Sequence, residues 1–209
     1  MNLEKIIEKI RARLDELDKY REKAIKLSRA TIRLCGESIR AIHTRNYEKA
    51  IDKNNFAKEK LQELKMLATN APDFLNSYLT IPFQEYVESN VLFRLIQKND
   101  FPSPDELHVP YVPYLLGLGD VIGELRRFAL DALRFNKIEE MQRMLSLMEK
   151  IYSELVFFDY PKAIVPGLRR KTDIGRSLVE KTRGDAATAV QQEKLLAELL
   201  TFKKINEEK

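Results

Sequence analysis

Four carboxylates in this 209-residue chain fall in pairs, Glu85 with Glu88 and Asp120 with Glu124, at spacings of three and four. On a helix such spacings put both members of a pair on one face, a turn apart. The first pair lies in residues 81–97, IPFQEYVESNVLFRLIQ, where Phe83, Val87, Val91, Leu92, Phe93, Leu95 and Ile96 cover most of the circumference. That pattern predicts a largely buried helix whose acidic face continues through Leu92 and Ile96. Two like charges in an apolar stripe repel and are costly to desolvate, so a proton, an arginine or a metal ion must compensate them. A solvent-exposed edge, or ion pairs to arginines of another helix, would satisfy the same spacing.

The second pair lies in residues 109–135, VPYVPYLLGLGDVIGELRRFALDALRF, on a polar stripe that runs on through Arg127 and Asp131. Tyr114, Leu118, Val121, Leu125, Phe128 and Ala132 form the opposite face, so an amphipathic helix with a wet polar side explains Asp120 and Glu124 equally well. Gly117, Gly119 and Gly123 are less ordinary, since each costs roughly 1 kcal/mol relative to Ala inside a helix. They imply either a closely approaching helix backbone or room for a substrate beside the acids.

If the two acidic faces meet, Glu85, Glu88, Asp120 and Glu124 form a set of hard oxygen donors suited to Mg²⁺ or Mn²⁺. Such a site could activate water and neutralise a phosphodiester under attack, with one metal or two. A carboxylate-bridged di-iron centre fits less well, because its Glu-x-x-His motifs are absent. Cys35 is the single cysteine and His43 and His108 are the two histidines, which rules out an intrachain disulfide and a Cys/His zinc site within one chain.

The elements that must position these acids read as helices throughout. Apolar residues at spacings of three and four, from Leu3 through Ile6, Ile10, Leu14 and Leu17 to Ile25, Ile32 and Ile39, predict one long helix over about residues 3–45. At 1.5 Å per residue it would be about 60 Å long and would need partners along its length. Further helices are expected over about 47–69, from Ile81, and over about 114–135, 137–158, 165–183 and 185–203, punctuated by Pro72, the proline-rich loop 102–113 carrying His108, Pro161, Pro166 and Gly184. No stretch alternates as a strand would. The fold class is therefore all-α, about seven helices with a long N-terminal helix, in a single domain over residues 1–209.

Lysine and arginine number 36 against 32 acids, and the resulting net charge of +4 permits an anionic partner without demanding one. Lys26, Arg29, Arg33 and Arg40 share a stripe of the first helix, interrupted by Glu37, with Arg45 beyond; Arg169, Arg170, Lys171, Arg176, Lys181 and Arg183 form a denser cluster. Either could follow a phosphate backbone, giving salt-sensitive binding with little base preference, or be a solvated face laced with ion pairs. Phe158 and Tyr160 near the second cluster could stack on unpaired bases or pack in the core. No apolar run approaches the ~18 residues of a membrane span, and the charged N-terminal stretch does not read as a signal peptide, so a cytoplasmic location is expected.

Three stretches together resemble the translin family: FQEYVE at 83–88, YLLGLGDVIGELRRFAL at 114–130, and LRRKTDIGRSLVEKTRGD at 168–185 with its Arg183-Gly184 ending. The likeness covers most of the chain and is weakest over the first 70 residues. It is greater to the branch related to translin-associated factor X, whose acids support metal-dependent RNA cleavage, than to translin itself, chiefly a binder. The resemblance implies a translin-like helical bundle and homo-oligomers, commonly octamers, that enclose RNA. By the same resemblance, Glu85, Glu88 and Asp120, supported by Glu124, are the metal-binding and catalytic positions of an endoribonuclease using Mg²⁺ or Mn²⁺. Arg29, Arg33, Arg40, Arg169, Arg170, Lys171, Arg176 and Arg183 are the expected contacts to single-stranded RNA, with single-stranded DNA as an optional ligand. Gly119 stands where the family usually has alanine. The competing expectation is a translin-like scaffold that binds RNA or single-stranded DNA without cutting it.

Overall fold

The structure, a computed structural model, describes residues 2–207. Its elements are α1 (Leu3–His43), α2 (Tyr47–Ala68), α3 (Pro72–Leu75), a 3₁₀ turn (Asn76–Tyr78), α4 (Thr80–Lys98), α5 (Pro104–Leu107), α6 (Tyr111–Arg134), α7 (Ile138–Val156) and α8 (Leu168–Glu207). No strand occurs among the described residues, and the all-α expectation holds. The chain divides into two compact units, Met1–Gly117 and Leu118–Lys209, with the division falling inside α6.

In the first unit α1 packs on α2 and α4. Asn2 caps α1, and Asn46 caps α2 by accepting the Lys49 N–H at 3.2 Å, so two short polar side chains satisfy amide groups that a helix start leaves open. The turn between them passes through Arg45 at φ 59°, and α4 ends on Asn99 at φ 54°. Asparagine tolerates that left-handed conformation better than most residues, which makes it a natural helix stop. A core of Ala24, Leu27, Leu64, Leu67, Ala68, Ala71 and Leu75 holds α1 against α2 and the segment after it. The fully buried residues of α1 begin at Ala24, Leu17 and Tyr20 pack half-buried against the same core, and the turns before Leu17 are largely exposed.

In the second unit the apolar stripe of α7, Met141, Met144, Leu147, Met148, Ile151 and Leu155, is buried, and α7 lies along α8. Arg126 of α6 donates to Thr182 Oγ1 at 2.6 Å and pairs with Asp185 at 3.0 Å on α8. Gly175 of α8 is buried against Ile122, whose Cδ1 would lie 2.9 Å from an added Cβ, so α8 comes close to α6 there. One expectation is corrected: residues 168–207 form a single helix, and Gly184 does not divide it. A mid-helix glycine costs only about 1 kcal/mol, and the helical periodicity on both sides outweighs that.

Candidate functional site

α4 presents the first acid pair as the apolar sequence requires. Phe83, Tyr86, Val87, Ser89, Val91, Leu92 and Leu95 are buried, and Glu88 among them is 8% exposed while Glu85 is half-buried. Of the two readings open for this pair, an exposed edge is thus excluded for Glu88. Both carboxylates are felt by the fully buried thiol of Cys35 on α1, which is pushed up to about 12 chiefly by burial, against a hydrogen bond with Ser89, with Glu85 and Glu88 adding their charge. Burial likewise raises the Tyr86 phenol to about 12, with Cys35 contributing. A protonated thiol is a poor metal ligand, so this face offers oxygen donors.

The same turn of α4 is where α6 begins its contact. A Cβ at Gly117 would lie 2.7 Å from Val87 Cγ1 and 2.8 Å from the Gln84 carbonyl oxygen. Gly117 therefore serves close helix packing, and the turn carrying Glu85 and Glu88 is held by neighbours on either side of it in the first unit.

Asp120 and Glu124 lie in the second unit. Asp120 is ion-paired with Lys171 of α8, the two side chains being 22% and 27% exposed. The stem of Lys171 crosses Gly119, where an added Cβ would sit 2.9 Å from Lys171 Cβ. Glu124 is 25% exposed, with Arg127 Nη1 at 3.9 Å, the outer limit of an ion pair. Gly123 has Leu178 Cδ1 at 4.0 Å from a notional Cβ, which is ordinary contact. The three glycines thus answer to three surroundings: a helix backbone, a lysine stem, and a loose neighbour.

Among the described residues no group of three or more His, Cys, Asp or Glu side chains is gathered to hold a metal ion. Mg²⁺ nonetheless asks little of a protein, since it keeps several waters and is usually bound through one or two carboxylates plus substrate phosphates. Glu85 and Glu88, two oxygen donors a turn apart with one of them buried, fit that demand. Asp120 fits it in chemistry, with the Lys171 ammonium already on its carboxylate.

The basic residues separate by exposure. Arg29, Arg33 and Arg40 lie exposed on α1, and Glu37 between them is engaged by Lys53 at 2.6 Å, whose ammonium holds its carboxyl below the usual range with help from Arg33 and Arg40. On α8, Arg169 and Arg170 are exposed and make no ion pair among the described residues, whereas Arg176 pairs with Asp173 at 3.0 Å and Arg183 with Glu149 at 2.5 Å. Lys171, grouped by sequence with the phosphate contacts, is turned onto Asp120 instead. The signal for that was Gly119, which marked a close approach without saying by what. Phe158 and Tyr160 are exposed with ring centroids 6.4 Å apart, and Phe157 beside them is 81% exposed, so these rings are not core. No helix among the described residues is long and apolar enough to cross a membrane.

The model of the Translin family matches residues 2–183. An uncharacterised protein of Methanocaldococcus jannaschii is 43% identical over 180 residues, 85% of this chain and 80% of that protein. Among solved structures, AfC3PO in complex with duplex RNA is similar at 33% identity and TM-score 0.82, over 89% of this chain and 97% of that one. The crystal structure of AfC3PO gives the same values. Apo-NeC3PO is similar at 26% identity and TM-score 0.75, over 86% of this chain and 96% of that one.

Proposed function

The chain belongs to the translin family, and from that premise we propose that it is an oligomeric nucleic-acid-binding protein of the branch related to translin-associated factor X, acting as a metal-dependent endoribonuclease. The family match runs across both compact units, which supports reading them as one translin-like domain. The similar AfC3PO has been seen with duplex RNA, which supports RNA as the ligand class. Single-stranded RNA is the proposed substrate and single-stranded DNA a second ligand, because the exposed rings of Phe157, Phe158 and Tyr160 offer stacking surfaces that only unpaired bases can use. Arg29, Arg33, Arg40, Arg169 and Arg170 would bind phosphates along the strand, with Arg176 and Arg183 joining at the expense of their ion pairs.

The observation that carries the catalytic reading is Glu88, a carboxylate 8% exposed on an apolar helix with a second carboxylate a turn away. Such a pair persists in an interior when a cation or proton balances it. Glu85, Glu88 and Asp120 are the proposed ligands of Mg²⁺ or Mn²⁺, and Glu124 supports them. When bound, the ion would supply Lewis acidity toward water and charge neutralisation at the phosphodiester. The protein's own part is to hold the strand through its arginines and to fix the donors in orientation.

A second reading, a binding scaffold without turnover, is favoured by the Lys171–Asp120 pair, which lets Asp120 serve as a structural ion-pair partner between α6 and α8. A labelled single-stranded RNA and excess Mn²⁺ separate the two. Cleavage is expected from the full chain and from neither Glu85→Ala nor Asp120→Ala, with RNA retention on a filter unchanged in both variants. Equal cleavage by both variants, or cleavage undiminished in excess EDTA, would remove these acids from the chemistry and leave the scaffold.

A further inference from the structure

We propose that Lys171 is a resident counter-cation for Asp120 that a divalent metal has to displace, so that this lysine sets the metal affinity of the site; the inference rests on the metal reading above. The ammonium pairs with Asp120 Oδ1, and both side chains are largely withdrawn from solvent, so water screens the pair less than it would at the surface. Lys171 stands in the first turn of α8, its N–H bonded to the Gly167 carbonyl oxygen at 3.2 Å. From there its stem lies over bare α6 backbone: a Cβ at Gly119 would meet Lys171 Cβ at 2.9 Å, Cγ at 3.4 Å and Cδ at 3.6 Å. A glycine one residue before the carboxylate thus admits the methylenes that deliver the charge to it. The arginines that follow on α6 are engaged elsewhere, Arg126 with Thr182 and Asp185 and Arg127 toward Glu124.

An ammonium and a divalent ion seated on one carboxylate repel each other, so occupancy by one weakens the other. Lys171 therefore holds Asp120 in orientation while no metal is there, and its release is the cost of loading the site. It acts through Asp120 and is a positioning residue. A purely structural ion pair would differ in one respect: its removal would lower stability and leave metal affinity alone.

Mn²⁺ titration of the full chain, followed by the electron-spin-resonance signal of the free ion, measures this without any turnover. Lys171→Gln is expected to bind Mn²⁺ more tightly by roughly threefold to fivefold, the upper part of what one such ion pair contributes. Lys171→Arg, which keeps the cation, should stay within about twofold of the parent on the same scale. In an Asp120→Asn background the Lys171→Gln change should alter nothing. Thermal melts without metal verify that each variant folds, and Lys171→Met replaces Lys171→Gln if the latter does not. Tighter binding in the glutamine variant, absent in the Asp120→Asn background, establishes the competition. Equal affinity of parent and glutamine variant, with Asp120→Asn binding more weakly than both, overturns it while leaving the metal site in place. No Mn²⁺ binding by any of the proteins refutes the metal reading itself, and the competition with it.

Discussion

Cys35 carries the chain's single thiol, fully buried on α1 beside the face of α4 that bears Glu85 and Glu88. A thiolate there would lose its hydration and face two carboxylates, which is why its pKa stands near 12 against an ordinary 9.0. Between those values the unfolded chain has released the proton and the folded one still holds it. The unfolded state then binds fewer protons, so stability falls as pH rises through that window and is unaffected below it. Tyr86, raised to about 12 from 10.0, adds a second loss that begins about one unit higher. Urea midpoints should therefore be level from neutral pH to about 8.5 and decline above about 9, the ordinary thiol value. Cys35→Ala should hold the plateau to about 10, where phenols begin to ionise in an unfolded chain. An identical onset in parent and variant would show that the thiol is not held protonated by the fold. The functional meaning is local: a neutral thiol adds no third negative charge beside Glu85 and Glu88.

Helix packing turns on glycines of one element, and the structure assigns opposite signs to two of them. At Gly117 a methyl would lie 2.7 Å from Val87 Cγ1 and 2.8 Å from a backbone oxygen, so the contact cannot be relieved by turning one side chain. Overpacking of this kind costs typically about 1–3 kcal/mol, against a propensity gain of about 1 kcal/mol for Ala over Gly. Gly117→Ala should destabilise the protein and shift the α4 turn that carries Glu85 and Glu88. Gly123→Ala meets its nearest neighbour at 4.0 Å, so it should keep the propensity gain and stabilise by up to about 1 kcal/mol. Chemical denaturation of both variants checks the pair, and a stabilised Gly117→Ala would contradict the close packing. These glycines also mark how far the sequence is legible. Periodicity located α1, α2, α4, α6 and α7 to within a few residues, because amphipathic spacing is a local property. It also singled out Glu88 as an acid in an apolar stripe, since the apolar surroundings of Glu88 lie on its own helix. The partner of Asp120 was not legible, being 51 residues away on another helix. The continuity of α8 was not legible, because a glycine between two periodic stretches reads as a stop, whereas a Cβ at Gly184 would meet nothing within 4 Å and the helix runs on through it.

For the molecule as a whole, the unburied part of α1 is the informative feature. Leu3, Ile7, Ile10 and Leu14 recur along one face and are 68%, 47%, 50% and 59% exposed, although the helix runs unbroken through them for 41 residues. A helical segment with no tertiary packing is marginal in water, so an apolar stripe of this length calls for a partner. Leu195, Leu196, Leu199 and Leu200 near the end of α8 are exposed in the same way. We propose a second copy of the chain as that partner, in a homo-oligomer for which an octamer is the family-derived expectation. Placing charges in the stripe tests this directly: Ile7→Glu with Ile10→Glu should reduce the mass measured by light scattering after size exclusion, while the folded core from Ala24 onward retains its cooperative melt. RNA binding should weaken in parallel and lose part of its salt dependence, because an assembly lays the arginines of several copies along one strand and each phosphate contact contributes to the salt slope. An unchanged mass would move the subunit contact elsewhere. A reduced mass with undiminished RNA affinity would show that one chain's arginines suffice, and the proposed benefit of assembly to binding would be lost.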